Sequence, residues 1–180
     1  SDPINQMLPE KFLNDARKAF EVEFRKNLDG QRLPSVFIDK LPLNILQAPL
    51  IQQLYSQAKF ILALRHPMDT ILSCWMQNFK LSSAMANMVD LDRIVEFYCV
   101  AMDTFKICRA KYNLSVHQIK YEDLLEDLSG EISALLKFLE LDWEDEMENY
   151  QNTALKRGRI KTPSYSQVVQ PIYKDAKYRW

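Results

Sequence analysis

Arg65 and Ser73 are spaced so that both could contact one anion. Arg65 follows the apolar run at residues 59–64, and Ser73 lies eight residues later, roughly two helical turns. A guanidinium fork and a hydroxyl together suit a phosphate group. Spacing alone leaves a plainer explanation open, in which Arg65 pairs with Asp69 and Ser73 is an ordinary helix residue.

Lys40 is a second candidate, because it follows Asp39 at the end of a short segment rich in β-branched residues. An ammonium group there could stabilise negative charge on a leaving oxygen. A surface lysine paired with a neighbouring carboxylate is the alternative.

The histidines and cysteines do not indicate a catalytic triad or a structural zinc site. His66 lies beside Arg65 and His117 lies within a predicted strand, and neither has an evident Ser or Cys nucleophile as partner. Cys74 lies in an apolar stretch, which favours a packing role. The three cysteines are an odd number and no CxxC or HxxxH spacing occurs, so we expect free thiols in a reducing compartment.

Hydrophobic periodicity predicts an α/β fold. Apolar stripes predict helices, and short apolar runs predict strands at residues 35–38, 59–64 and 115–120, the second buried on both faces. The first helix carries the stripe Phe12, Ala16, Phe20, Phe24, and the second runs from Asn44, as its N-cap, to Gln57. Helices then follow from Pro67, with a stripe from Leu91 to Phe105, and behind Gly130.

This alternation predicts parallel strands, whose carboxyl ends form the ligand edge of the sheet. Those ends carry Asp39-Lys40, Arg65 and Tyr121-Glu122, and a basic tract at residues 156–180 could fold over them. Only three glycines occur, so neither GxxxxGK[ST] nor GxGxxG can be written.

The composition and charge of the chain limit the classes of function that it could have. With 180 residues, 47% of them apolar, we predict a single domain over residues 1–180. A net charge of -1 argues against nonspecific nucleic-acid binding, although residues 121–150 are acidic and residues 153–180 basic. No apolar run could span a membrane and the N-terminus does not match a signal peptide, so we expect a cytoplasmic protein.

Several motifs in register resemble those of sulfotransferase domains, most closely the bacterial TPR-linked and tyrosylprotein-type sulfotransferases. The resemblance extends from about residue 36 to residue 180. The motifs are Asp39-Lys40-x-Pro42-x-Asn44, Arg65-His66-Pro67-Met68-Asp69 with Ser73, Tyr121-Glu122-Asp123, Ser164-Tyr165-Ser166-Gln167-Val168-x-x-Pro171-Ile172-Tyr173 and Arg179-Trp180.

The resemblance implies a P-loop-NTPase-like sulfotransferase fold, in which helices flank a parallel sheet. It also implies transfer of a sulfuryl group from 3′-phosphoadenosine 5′-phosphosulfate (PAPS) to a hydroxyl or amine, without a metal. By this analogy Arg65 and Ser73 bind the 3′-phosphate of the co-substrate, and Tyr121 contacts the nucleotide.

The same analogy assigns the phosphosulfate end. Lys40 would be catalytic, neutralising charge on the bridging oxygen. The loop of Ser164 and Gln167 would close over this end together with Arg179, and Ser164 would belong to both the catalytic and the co-substrate-binding residues.

Two departures from the family pattern lead us to expect an N-terminally incomplete domain, and they leave open whether this chain is active by itself. No segment matches the Pro-x-Ser-Gly-Thr-Thr-like loop that holds the 5′-phosphosulfate, or the glutamate base that follows it. Gln77 stands where the tyrosylprotein class has an arginine. The sheet edge where the missing strand should lie would then be exposed, and an exposed edge would favour a dimer or low solubility.

Two other functions are weighed against a sulfotransferase. One is a non-catalytic module that binds PAPS, or its desulfated product PAP, or that serves in protein interactions. The other is a kinase-like α/β enzyme, which the missing glycine loop disfavours. The acceptor could be a peptide, a saccharide or a small molecule.

Overall fold

The computed structural model describes residues 7–26, 28, 34, 36–77, 85–147 and 177–180. The chain divides into two compact units. The first comprises Ser1–Ala58 and Ala101–Ser115, and the second comprises Lys59–Val100 and Val116–Trp180.

The second unit contains a two-stranded parallel sheet within the described part of the chain. Strand β1 (Phe60–Leu64) pairs with β2 (Val116–Lys120), and the register places Leu64 opposite Lys120. The strands therefore end at the same level, so the residues that follow them share one edge of the sheet. The predicted α/β class with parallel strands is confirmed at this level of detail.

Two predictions about the strands are wrong. The sequence predicts a strand at residues 35–38, but the described residues 36–38 form none: residue 36 lies in a bend, and Phe37 packs against aromatic side chains. Strand β1 is not buried on both faces, because Ile61 and Ala63 are exposed while the residues that alternate with them are partly covered. The described elements cover only one face of this strand.

Helices follow both strands in the second unit. Helix α3 (Pro67–Trp75) begins after β1, with Pro67 in its first turn as predicted. After β2 come the short α5 (Tyr121–Leu124) and then α6 (Leu128–Leu139), where the carboxylate of Asp127 accepts a hydrogen bond from the Gly130 N–H. The core side chains of this unit are Ile71, Ile94, Ile119 and Leu136.

The first unit contains helix α1 (Glu10–Lys26) and helix α2 (Asn44–Leu54). Phe20, Phe24, Phe37 and Tyr55 form an aromatic cluster with ring centroids 5.2–6.5 Å apart. Helix α4 (Leu91–Tyr112) contributes its second half to this unit, where Ala101, Phe105 and Cys108 are buried. The remaining described elements are two 3₁₀ turns of the second unit, Met85–Met88 and Asp145–Met147.

Two details of the helices differ from the sequence predictions. Leu13 is the buried residue of α1 and Phe12 is exposed, because a stripe of every fourth residue drifts off a 3.6-residue turn. Asn44 is not the N-cap of α2. It is the first helical residue, and its side-chain amide donates to the Asp39 carboxylate at 3.0 Å.

Arg17 joins α1 to the end of α2. Its Nε donates to the carbonyl oxygen of Leu54 at 2.6 Å and its Nη2 donates to that of Gln53 at 3.3 Å. The last carbonyls of a helix have no partner within the helix, so a cation there both satisfies them and complements the helix dipole. Arg17 therefore fastens the two helices through backbone groups.

We predict that Arg17→Ala lowers the free energy of unfolding by about 2 kcal/mol, because two partly buried charge-assisted hydrogen bonds are lost. Urea denaturation measures this. Arg25→Ala is the matched control, since Arg25 lies on the same helix and its pair with Glu21 is exposed, so its removal should cost about 0.5 kcal/mol or less. Equal losses for the two variants would contradict the capping role.

The pH dependence of stability is a second prediction. Burial raises the pKa of the thiols of Cys74 and Cys108. An unfolded chain therefore loses these protons at a lower pH than the folded chain, so the stabilisation is complete below about pH 8.5 and declines as the pH rises through the folded pKa values.

We expect the free energy of unfolding, measured in urea between pH 7 and pH 10, to fall less steeply in the double variant Cys74→Ala/Cys108→Ala than in the unmodified chain. Cys99→Ala serves as the control, because Cys99 is exposed. If the double variant and the unmodified chain decline in parallel, the two thiols do not account for the alkaline loss.

Candidate functional site

Arg65 and Tyr121 meet at the carboxyl edge of the sheet. Each is the first residue after its strand, and the register of the strands places them side by side. The Arg65 guanidinium carbon lies 5.5 Å from the centroid of the Tyr121 ring. This is within the range of a cation–π interaction, which orients the guanidinium against a flat surface.

Asp69 lies beneath this edge and is the most buried charged residue described. Its side chain is fully shielded, and Oδ1 is 3.8 Å from Nη2 of Arg65. Its two oxygens also accept backbone hydrogen bonds, Oδ2 from the N–H of Tyr178 and Oδ1 from that of Arg179, both at 2.8 Å. The Arg65–Asp69 pair considered from the sequence is thus present, but it is long, and Asp69 also binds the C-terminal residues.

The backbone turn between β1 and α3 is fixed from two directions. The His66 N–H donates to the Glu122 carboxylate at 2.8 Å, which ties this turn to the segment after β2. The His66 ring stacks on Trp180, with centroids 4.9 Å apart and planes 10° apart, and meets the edge of Tyr178 at 5.7 Å. Residues 177–180 therefore lie against this edge, as the sequence predicted for the end of the basic tract.

Ser73 is half-buried on α3, one helical turn after Asp69 and thus on the same helix face. Its neighbour Cys74 is a half-buried free thiol whose pKa burial raises, which opposes formation of a nucleophilic thiolate. The predicted packing role for Cys74 agrees with this environment. His117 packs its ring on Phe138 at 5.4 Å, as expected of a structural strand histidine.

The other predicted site residues are distributed as follows. Lys40 is exposed and belongs to the first compact unit. Arg179 uses its backbone N–H to bind Asp69, while the residue as a whole is exposed. Ser164 and Gln167 lie outside the described residues. Arg65, Tyr121 and Arg179 are therefore the predicted residues whose contacts the structure brings to one edge.

Sequence reasoning missed the roles of Asp69 and Glu122 as anchors. The sequence indicated Asp69 as a possible partner of Arg65, four residues away, and Glu122 as a residue at a strand end, and both belong to the motifs of the family resemblance, but neither was predicted to be an anchor. Their other partners are more than 50 residues distant in the chain, a separation at which no local pattern gives a signal.

The described residues include no cluster of His, Cys, Asp and Glu that could hold a metal ion. Among the helices described, none combines the length and the apolar character that crossing a membrane requires.

Comparison with known proteins identifies the family. A sulfotransferase family model matches residues 2–145. An uncharacterised protein of Aquifex aeolicus is 29% identical over 144 residues, covering 79% of this chain and 18% of that protein. Cytosolic sulfotransferase 15 of Arabidopsis thaliana is 26% identical over 132 residues, 68% of this chain and 36% of the relative.

A third relative, protein-tyrosine sulfotransferase A of Caenorhabditis elegans, is 21% identical over 185 aligned residues, 93% of this chain and 44% of that protein. The chain therefore spans less than half the length of each of these relatives. Because the family model matches well over half of the chain, the chain belongs to the sulfotransferase family.

Proposed function

We propose that this chain provides a sulfotransferase with a binding site for PAPS and takes part in transfer of its sulfuryl group to a hydroxyl or amine acceptor. Membership of the family supports the reaction class. The observation that carries the proposal further is the placement of Arg65 over the Tyr121 ring at the carboxyl edge of the sheet. Ligands of parallel α/β sheets bind at this edge.

The nucleotide end of the co-substrate is assigned to the second unit. Arg65 would bind the 3′-phosphate through its guanidinium fork, which matches the geometry of phosphate oxygens. Ser73 would donate its hydroxyl to the same phosphate, and Tyr121 would contact the nucleotide. The residues fit such a group by their chemistry, since a guanidinium held on an aromatic ring and a serine hydroxyl on the helix that follows can both donate to an anion.

The phosphosulfate end is assigned to Lys40, Ser164, Gln167 and Arg179. In the transfer, the acceptor oxygen or nitrogen forms a bond to sulfur and loses its proton, while the bond from sulfur to the bridging oxygen breaks and PAP leaves. Lys40 would neutralise the charge that grows on that bridging oxygen. A loose in-line transition state needs mainly positioning and cationic stabilisation, so the proposed mechanism uses no metal.

The acceptor class and setting are also part of the proposal. The relatives are named as a cytosolic and a protein-tyrosine sulfotransferase, and for this chain we retain a peptide, a saccharide or a small molecule as acceptor. We also propose that the protein is cytoplasmic, that it is more similar to bacterial members of the family than to others, and that it forms a dimer.

We predict that Arg65→Ala weakens binding of PAP at least about 100-fold, because a charge-assisted fork to the 3′-phosphate is lost. Arg65→Lys should weaken binding about tenfold, since an ammonium keeps the charge but not the paired geometry. Isothermal titration calorimetry of the 180-residue chain with PAP measures both.

Arg93→Ala is the matched control for charge, because Arg93 is an exposed arginine of the same unit, on α4. It should bind PAP as the unmodified chain does. If Arg65→Ala binds PAP with unchanged affinity, or if the folded unmodified chain does not bind PAP, the proposed nucleotide site is refuted.

A different result is expected for Lys40→Ala. Because Lys40 would act on charge that develops in the transition state, kcat should fall by about 100-fold or more while the affinity for PAP stays within about twofold. Turnover is measured with sulfur-labelled PAPS and three acceptors, p-nitrophenol, a tyrosine-containing peptide and a glucosamine oligosaccharide.

Lys106→Ala is the control for this experiment, since Lys106 is an exposed lysine of the same unit, on α4. A loss of PAP affinity in Lys40→Ala that equals its loss of turnover would assign Lys40 to binding instead of catalysis. If transfer to the three acceptors proceeds at an unchanged rate in Lys40→Ala, Lys40 has no role in the reaction.

A further inference from the structure

The C-terminal residues bind Asp69 through a backbone arrangement that favours anions. Tyr178 has φ of 56°, a left-handed conformation that bulky residues rarely adopt. Its N–H and that of Arg179 point at the two oxygens of one carboxylate, each at 2.8 Å. Successive N–H groups in such a turn form a concave anion site. Here the carboxylate of Asp69 is the anion in that site.

Three further contacts hold residues 177–180 in place. Trp180 stacks on the His66 ring and Tyr178 meets its edge. Lys177 donates to the carboxylate of Glu126 at 2.8 Å. Among the partners in these contacts, Asp69 is the one whose side chain is fully buried, whereas Trp180 and Tyr178 are each more than half exposed and the side chain of Glu126 is 71% exposed. Asp69 is thus the main anchor of residues 177–180.

The same carboxylate is also the close anionic neighbour of Arg65. Oδ1 of Asp69 lies 3.8 Å from Nη2 of Arg65 and 2.8 Å from the Arg179 backbone nitrogen. Any change in the C-terminal residues that shifts this oxygen therefore changes the electrostatic environment of the guanidinium. Conversely, an anion that binds Arg65 weakens the interaction of this guanidinium with Asp69, and so changes the hydrogen bonds that Asp69 accepts from the C-terminal backbone.

We infer that Asp69 is a positioning residue, which couples docking of residues 177–180 to binding of the nucleotide phosphate at Arg65. The inference rests on the proposed function, because it takes Arg65 as the ligand of the 3′-phosphate. Coupling between two sites is reciprocal. The docked N–H groups hold both Asp69 oxygens at 2.8 Å, which keeps this carboxylate from a bidentate pair with Arg65 and fixes the surroundings of the guanidinium. Docking therefore favours nucleotide binding, the nucleotide stabilises the docked residues by the same factor, and loss of their anchor weakens the nucleotide site although Arg65 itself is intact.

The test is Asp69→Asn. An asparagine has one oxygen that can accept one of the two N–H groups, and its own N–H₂ faces the other donor. The Trp180 ring reports docking directly. With Trp75 and Trp143 replaced by phenylalanine, 5-fluorotryptophan at position 180 gives a single fluorine resonance, which the stacked His66 ring shifts away from its position in the urea-unfolded chain.

We expect the Trp180 resonance of Asp69→Asn to move to the unfolded-chain position and the affinity for PAP to fall about tenfold, within the usual range of coupling between sites. Asp92→Asn is the matched control, since Asp92 is an exposed aspartate of the same unit, and should change neither quantity. Adding PAP should sharpen or further shift the Trp180 resonance of the unmodified chain but not that of Asp69→Asn.

A second variant covers the case in which Asp69→Asn does not fold. Tyr178→Pro leaves Asp69 and Arg65 in place but removes one of the two N–H donors to Asp69, and a proline cannot adopt a φ of 56°, so this variant should undock residues 177–180 and weaken PAP binding several-fold. An unchanged Trp180 resonance in Asp69→Asn would overturn the anchoring. A displaced resonance with unchanged PAP affinity would overturn the coupling, as would normal PAP affinity in Tyr178→Pro. Failure of the unmodified chain to bind PAP would refute the proposed function, and the coupling with it.

Discussion

The in-register parallel pairing of β1 and β2 is the constraint on which the candidate site depends. Ending the strands at Leu64 and Lys120 on the same level places Arg65 beside Tyr121, and a slip of one residue would send each side chain to the opposite face. The Glu122 carboxylate then holds the turn that follows β1, through the N–H of His66. The ends of the two strands, and not a loop, therefore position the guanidinium of Arg65.

Much of this arrangement could be predicted from the sequence. The apolar runs at residues 59–64 and 115–120 predicted the two strands, and Pro67 predicted where the next helix begins. The rule that parallel strands carry ligands at their carboxyl ends then singled out Arg65 and Tyr121. The two predicted strands and the helix start at Pro67 are confirmed, because each depends on local sequence patterns. The binding roles of Arg65 and Tyr121 stay predictions.

The predictions that failed depended on partners distant in the chain. Residues 36–38 have the composition of a strand, but Phe37 packs in an aromatic cluster with Tyr55 and α1. The buried role of Asp69 arises from backbone groups more than 100 residues away, and backbone N–H groups carry no sequence signature. The misassignment of Phe12 has a local cause instead, since a stripe drawn every fourth residue departs from the helical repeat that places Leu13 inward.

The length of the Arg65–Asp69 contact bears on how a buried carboxylate can lie beside an anion-binding arginine. A carboxylate that gripped the guanidinium in a bidentate pair would compete with a phosphate for the same donors. Here each Asp69 oxygen already accepts a backbone N–H at 2.8 Å, while Nη2 of Arg65 remains 3.8 Å away. The C-terminal N–H groups thus satisfy a charge that would otherwise be costly to bury, and they do so in place of a tight hydrogen bond from Arg65.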